Sequence, residues 1–175
     1  MHTHRGFTLI ELLVTITIAA ILAAIAVPNL NNFIKNNRLT TTANDLLADL
    51  ALARSEAAKR GQPVSVCPSS NGSACTAGSW TTGRIVFSDL GSLGTVDGSD
   101  IVIRITESSS AGISIASSGF ANTSYIRYTS SGAMSTGNTN LGAFKICDDR
   151  NGAFGKLVSI SNTGRASIQS AQTCP

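Results

Sequence analysis

Hydrophobic and polar positions divide the chain into two regimes. From Phe7 to Val27 the residues are apolar or small except Thr8, Thr15, Thr17 and Glu11. At ~1.5 Å per residue that run is long enough to cross the ~30 Å hydrocarbon core of a bilayer. Beyond it, in "NLNNFIKNNRLTTTANDLLADLALARSEAAKRG", Ala43, Leu46, Leu47, Leu50, Ala53, Arg54 and Ala57 recur near helical spacing, with Asp45, Asp49, Glu56 and Lys59 mostly on the opposite side. The spacing predicts one long helix that stops near Arg60. Gly61 suits the C′ position, Lys59 and Arg60 suit the negative end of the helix dipole, and Pro63 forbids continuation. Pro28 removes a backbone hydrogen bond within the pattern and predicts a kink or local loosening where the apolar half ends.

After Gly61 the helical pattern gives way to Ser, Thr and Gly with short β-branched runs. Alternation predicts eight strands: "PVSVC" (63–67), "GRIVFSD" (83–89), "DIVIRIT" (100–106), "GISIAS" (112–117), "SYIRYT" (124–129), "AFKICD" (143–148), "KLVSIS" (156–161) and "ASIQS" (166–170). In "DIVIRIT", Ile101, Ile103 and Ile105 are expected to share one face, opposite Val102 and Arg104. Turn signals such as "DGS", "SSG" and "NTG" fit a sandwich or two packed sheets, with the amphipathic half of the helix against one of them. The expected class is α+β: a long N-terminal helix, transmembrane over its first half, packed on an all-β C-terminal domain of two sheets. No internal repeat is visible, and residues 62–175 suffice for one core of ordinary size.

The flanks of the apolar run bear on its role. In "MHTHRG" only Arg5 is permanently charged, so the positive-inside rule places residues 29–175 outside the cytoplasm. The run is too long for the apolar core of a secretory signal and continues into further helix, which predicts a retained anchor. An ionised Glu11 in such a span costs roughly 2.5–3.5 kcal/mol or more, a cost that calls for a partner the isolated chain does not supply.

The stretch "GFTLIELLVTITIAAILAAIAVPNL" resembles the N-terminus of type IV pilins and type II secretion pseudopilins. The resemblance implies a leader over residues 1–6 removed by a prepilin peptidase after Gly6, and methylation of the new terminus at Phe7. It further implies a transmembrane helix half over 7–28, an amphipathic half over 29–61 and a β-rich periplasmic domain over 62–175. Glu11 would pair with the N-terminal ammonium of a neighbouring subunit as helices bundle, each charge relieving the other's desolvation. "NDLLADLALARSEAAKRGQPVSVCPSSNGSACTAGSW", "IVF", "ICDDRNG" and "VSISNTGRAS" resemble the GspH/FimT family of minor pilins and pseudopilins. That implies a non-enzymatic subunit, held in the inner membrane before assembly, present in few copies near a filament tip beside other pilins or pseudopilins, and helping to prime assembly. "AVPN" after the span points toward the pilus branch.

Four cysteines, Cys67, Cys75, Cys147 and Cys174, allow three pairings. The short loop "CPSSNGSAC" favours Cys67–Cys75, leaving Cys147–Cys174 to tie a late strand to the C-terminus. A four-cysteine zinc site is the alternative, but the paired C-x₂₋₄-C spacing is lacking and an exported domain favours disulfides.

Candidate catalytic groups are few. Both histidines, His2 and His4, lie in the leader, so the processed chain has no imidazole for nucleophilic catalysis. Asp148 and Asp149 are expected in a turn, and "VDGSD" (96–100) carries Asp97 and Asp100 without the ligand count of a calcium loop. With no phosphate-binding glycine motif or haem motif, no cofactor is expected. Trp80 is expected to pack in the core or under a loop.

DNA binding is the competing function. DNA receptors among members of this family carry a C-terminal G-R-x-R, and here Gly164, Arg165, Ala166 and Ser167 match only through the first arginine. Arg165, Lys156 and Arg150 are the candidate phosphate contacts.

Overall fold

The computed structural model describes residues 7–135 and 142–175, the side chain at position 28 excepted. Residues 1–6, the expected leader with Gly6, lie outside the described residues. One helix, α1 (Leu9–Arg60), precedes eight strands: β1 (Val64–Pro68), β2 (Arg84–Ser88), β3 (Val102–Thr106), β4 (Ser114–Ser118), β5 (Ile126–Tyr128), β6 (Gly142–Cys147), β7 (Gly152–Ile160) and β8 (Ala166–Cys174). The chain falls into two compact units, up to Asn37 and from Arg38 onward.

In the first unit the large apolar side chains between Phe7 and Ile34 are exposed. Among the described residues α1 is the one helix long and apolar enough to cross a membrane. Its polar groups bond along the helix: Thr15 and Thr17 hydroxyls donate to the carbonyls of Leu12 and Leu13, and the Asn29 amide donates to that of Ile25. Such i−3 and i−4 bonds leave little polar surface to desolvate. Helix assignment continues through position 28, so Pro28 does not divide α1.

The second unit holds the end of α1 and two antiparallel sheets, of strand order β3-β2-β1-β5 and β4-β6-β7-β8. Leu39, Ala43, Leu46, Leu50, Ala53 and Ala57 form the buried stripe of the helix. They share one core with Val64, Val66 and Val86 of the first sheet and Phe144, Ile146 and Val158 of the second, so the core draws on both sheets. Trp80 is buried there, edge-on to Phe144 at 4.6 Å between centroids, with its indole N–H donating to the Thr123 carbonyl at 3.0 Å. The helix ends as its sequence dictates: Gly61 is left-handed at φ 63° and the Gln62 amide returns to the Ala57 carbonyl at 3.3 Å. That is the bond pattern of a Schellman cap.

Three expectations change. Asp49, assigned to the solvent side, is fully buried. Its Oδ2 accepts from Arg84 Nε at 2.9 Å and its Oδ1 from Thr106 Oγ1 at 2.8 Å, and Arg104 Nε forms an ion pair with Oδ1 at 3.2 Å. The three isoleucines of "DIVIRIT" do not share a face. A register shift opposite Val86/Phe87 inserts an extra residue into β3, so Ile103 packs on the main core while Val102 joins Cys67, Ile85 and Phe87 on the other side of the sheet. Ile101 and Ile105 stay exposed. Finally, β7 begins at Gly152 and β8 runs to Cys174, because "GAFG" and "AQTC" pair without alternation. Gly155 permits that pairing: a Cβ there would meet Cys174 Sγ at 2.7 Å and the Ile146 carbonyl at 3.0 Å.

Disulfides join Cys67 to Cys75 and Cys147 to Cys174. The first closes the loop over the outer face of β1 and β2; the second ties the end of β6 to the C-terminus.

Two stability outcomes follow. Asp49→Ala leaves the buried Arg84 guanidinium without its counter-charge and is expected to cost about 3–5 kcal/mol. Guanidinium unfolding followed by fluorescence of Trp80, the chain's single tryptophan, checks this, and a loss below ~1 kcal/mol would refute the bond's role. Removing the Cys147–Cys174 link, which closes 27 residues, should cost roughly 1 kcal/mol more than removing Cys67–Cys75, which closes 8, on the loop-entropy relation.

Candidate functional site

The start of α1 is built around Glu11. Its carboxylate Oε2 accepts from the Thr8 backbone amide and from the Thr8 hydroxyl, both at 2.8 Å, while the Glu11 amide donates to Thr8 Oγ1 at 3.3 Å. This reciprocal arrangement is a capping box, with Thr8 at the N-cap and Glu11 three residues on. The signal was in "TLIE", which matches the S/T-x-x-E pattern, yet Glu11 drew attention only as a charge in an apolar run. Phe7 is exposed immediately before the cap.

The DNA-candidate cations are not brought together. Arg150 binds Asp148 through Nη2 at 2.7 Å and Nε at 2.9 Å, and its guanidinium lies 4.3 Å from the centre of the Phe154 ring. Burial pushes the Asp148 carboxyl up, but the Arg150 side chain and amide together hold it below the usual carboxylate range. Lys156, on β7, donates to Ser170 Oγ at 3.0 Å. Arg165 sits in the turn after β7, and the strand of nine residues between Gly152 and Ile160 puts roughly 25–30 Å between the Arg150 and Arg165 ends.

Arg165 is nevertheless held in a defined turn. The Ser161 amide donates to the Arg165 carbonyl at 2.9 Å, the Arg165 amide and carbonyl both engage Ser161 Oγ, and the Gly164 amide donates to the Ser161 carbonyl at 2.8 Å. Gly164 has φ 80°, and a Cβ there would strike the Gly132 carbonyl and stand 3.0 Å from the Tyr128 ring. The glycine of "TGR" therefore packs this turn against the 129–132 turn that follows β5. Arg54 of α1 completes the junction, its Nε donating to the Gly132 carbonyl at 3.0 Å. Burial pushes the nearby Tyr128 hydroxyl well above its ordinary range, with the Arg54 charge acting the other way.

The acidic candidates serve their own loop. Asp97 Oδ2 accepts from the Ser92 amide at 2.9 Å, which lowers its pKa, and Asp100 Oδ1 and Oδ2 accept from the Leu90 and Asp97 amides. Among the described residues no cluster of His, Cys, Asp and Glu could hold a metal ion.

Comparison with known proteins gives two matches to family models: "Type II transport protein GspH" over residues 42–164, and "Prokaryotic N-terminal methylation motif" over residues 1–27. Fimbrial protein Q of Moraxella bovis is 39% identical over 67 residues, an alignment covering 35% of this chain and 43% of that protein. The type IV major alpha-pilin of the same organism is 44% identical over 48 residues, covering 27% and 30%. The chain thus spans less than half the length of the curated relatives it matches. Among solved structures, the type IV minor pilin FimU of Pseudomonas aeruginosa has a TM-score of 0.64 at 22% identity, covering 82% of this chain and 96% of that one. The minor pseudopilin EpsH of the Vibrio cholerae type 2 secretion system has a TM-score of 0.54 at 13% identity, covering 76% and 97%. At those identities the likeness is one of fold.

Weak DNA binding is the expected outcome of the scattered cations. Titration of labelled duplex should give a Kd no tighter than the non-specific range of about 10⁻⁴ M at physiological salt, changed little by Arg165→Gln. Micromolar binding that is lost in Arg165→Gln and falls steeply with salt would overturn this.

Proposed function

The chain belongs to the GspH family, and on that premise we propose that it is a non-enzymatic minor pilin or pseudopilin that enters a type IV pilus or secretion pseudopilus at or near its tip and helps to prime assembly. Before assembly, the apolar half of α1 anchors it in the inner membrane with the disulfide-linked β domain in the periplasm. Prepilin peptidase cuts after Gly6, and Phe7 becomes the methylated terminus. The observation that carries the reading is the single carboxylate, Glu11, on the first turn of an apolar helix joined to a pilin-like β domain. Before a neighbour arrives, Thr8 satisfies one oxygen of that carboxylate, Oε2; in the filament its proposed partner is the ammonium of an adjacent Phe7.

The capping box supplies the test. Gln is accepted at the third position of a capping box but carries no charge. Glu11→Gln should therefore be processed normally and keep its helix start, yet its recovery in sheared filaments should drop at least about tenfold, equivalent to ~1.4 kcal/mol. Glu11→Ala should behave at least as badly, while a bulky residue at Gly6 should retain the leader. Wild-type recovery of Glu11→Gln beside failure of Glu11→Ala would reduce Glu11 to a cap.

A further inference from the structure

A groove of about 270 Å³ runs beside the outer edge of α1, between the helix and the two packed turns. Its apolar lining is Leu47, Ala51 and Ala58 of the helix with Ala166 of β8, and its charged lining is Arg54 and Arg165. Among the described residues no acid lines it. The two serines present are committed: Ser55 Oγ donates to the Leu52 carbonyl at 2.9 Å, and Ser131 Oγ shares a hydrogen bond with Thr129 Oγ1. Arg54 spends its Nε on Gly132, whereas the hydrogen bonds of Arg165 described above involve only its backbone. The unused polar capacity of the groove is therefore cationic, set over an apolar floor.

We propose that this groove docks an acidic segment of a neighbouring filament subunit, taking a side chain with an apolar stem and a terminal carboxylate between Arg54 and Arg165. The proposal rests on the reading of the chain as a filament subunit. Charge complementarity selects the occupant: two guanidiniums with no acid beside them favour a carboxylate, and arginine binds it through paired N–H donors. Size selects its form, since the groove is smaller than the ~300–1,000 Å³ pockets that bury small molecules and suits one or two side chains. Duplex DNA is the poorer match, because specific complexes bury about 1,000–2,500 Å² and neutralise several phosphates, and Arg150 and Lys156 are engaged elsewhere. Gly164 and Gly132 give the site its walls. Their contact holds the turn that carries Arg165 beside the helix that carries Arg54, and both arginines line the groove.

The test uses the full chain in filaments, with a photo-cross-linking amino acid at Ala58, an exposed position in the groove. The expected result is a link to another pilin or pseudopilin through a peptide containing Asp or Glu. Its yield should fall at least about tenfold in Arg165→Glu and be largely kept in Arg165→Lys. Arg165 is chosen over Arg54 because its side chain is exposed and makes no hydrogen bond or ion pair among the described residues, and intact Cys147–Cys174 pairing in the variant checks folding. A yield unchanged by Arg165→Glu, a linked peptide without an acid, or a link to nucleic acid would overturn the inference while leaving the subunit in filaments. A chain absent from filaments altogether would overturn both the inference and the reading beneath it.

Discussion

Asp49 fixes the layers of the domain to one another. Leucines and alanines can hold a helix on a sheet in more than one register, because hydrophobic contact is not directional. A buried carboxylate hydrogen-bonded to Arg84 and Thr106 and ion-paired with Arg104 cannot be displaced so cheaply. Moved by one residue, the helix would leave Arg84, itself only 2% exposed, as an unpaired charge in the interior. The pair thus sets which helix residues meet β2 and β3. Ala53 and Ala57 follow on the same stripe, small enough to bring the helix close to the sheet.

Much of the fold was legible because its signals are local. The end of α1 was written in Arg60-Gly61-Gln62-Pro63, and all eight strands were found by alternation. What escaped depended on long-range pairing. Asp49 stands three residues after Leu46 and four before Ala53, on the buried stripe by spacing alone, but a charge is assigned to solvent until its partner is known. Arg84 and Arg104 lie 35 and more residues away. The faces of β3 depend on long-range pairing too, since a bulge is a property of two strands and leaves no mark on one. The capping box was different: Thr8 and Glu11 are three residues apart and the motif was readable.

The acidic residues share a pattern that shapes the surface. Buried Asp89 accepts from Ser65 Oγ at 2.5 Å, from Arg127 Nε at 3.1 Å and from the Gly94 amide at 3.1 Å, holding the loop after β2 over the outer face of its sheet. Asp97 and Asp100 organise that same loop, and Asp148 holds Arg150. Carboxylates are consumed as internal fasteners, while Arg165 keeps its guanidinium outward.

Glu11 follows the same economy in a different medium. An ionised carboxylate carried into hydrocarbon is penalised for each lost water bond, and the helix start beside it has amides with no intrahelical acceptor. Thr8 joins these two deficits: its amide and hydroxyl satisfy Oε2, and its own hydroxyl receives the Glu11 amide. Among the described residues Oε1 accepts no hydrogen bond, and the cap leaves the negative charge in place, so the carboxylate still favours a cation. On the proposed reading, a neighbouring ammonium would add charge compensation without first having to break the helix end.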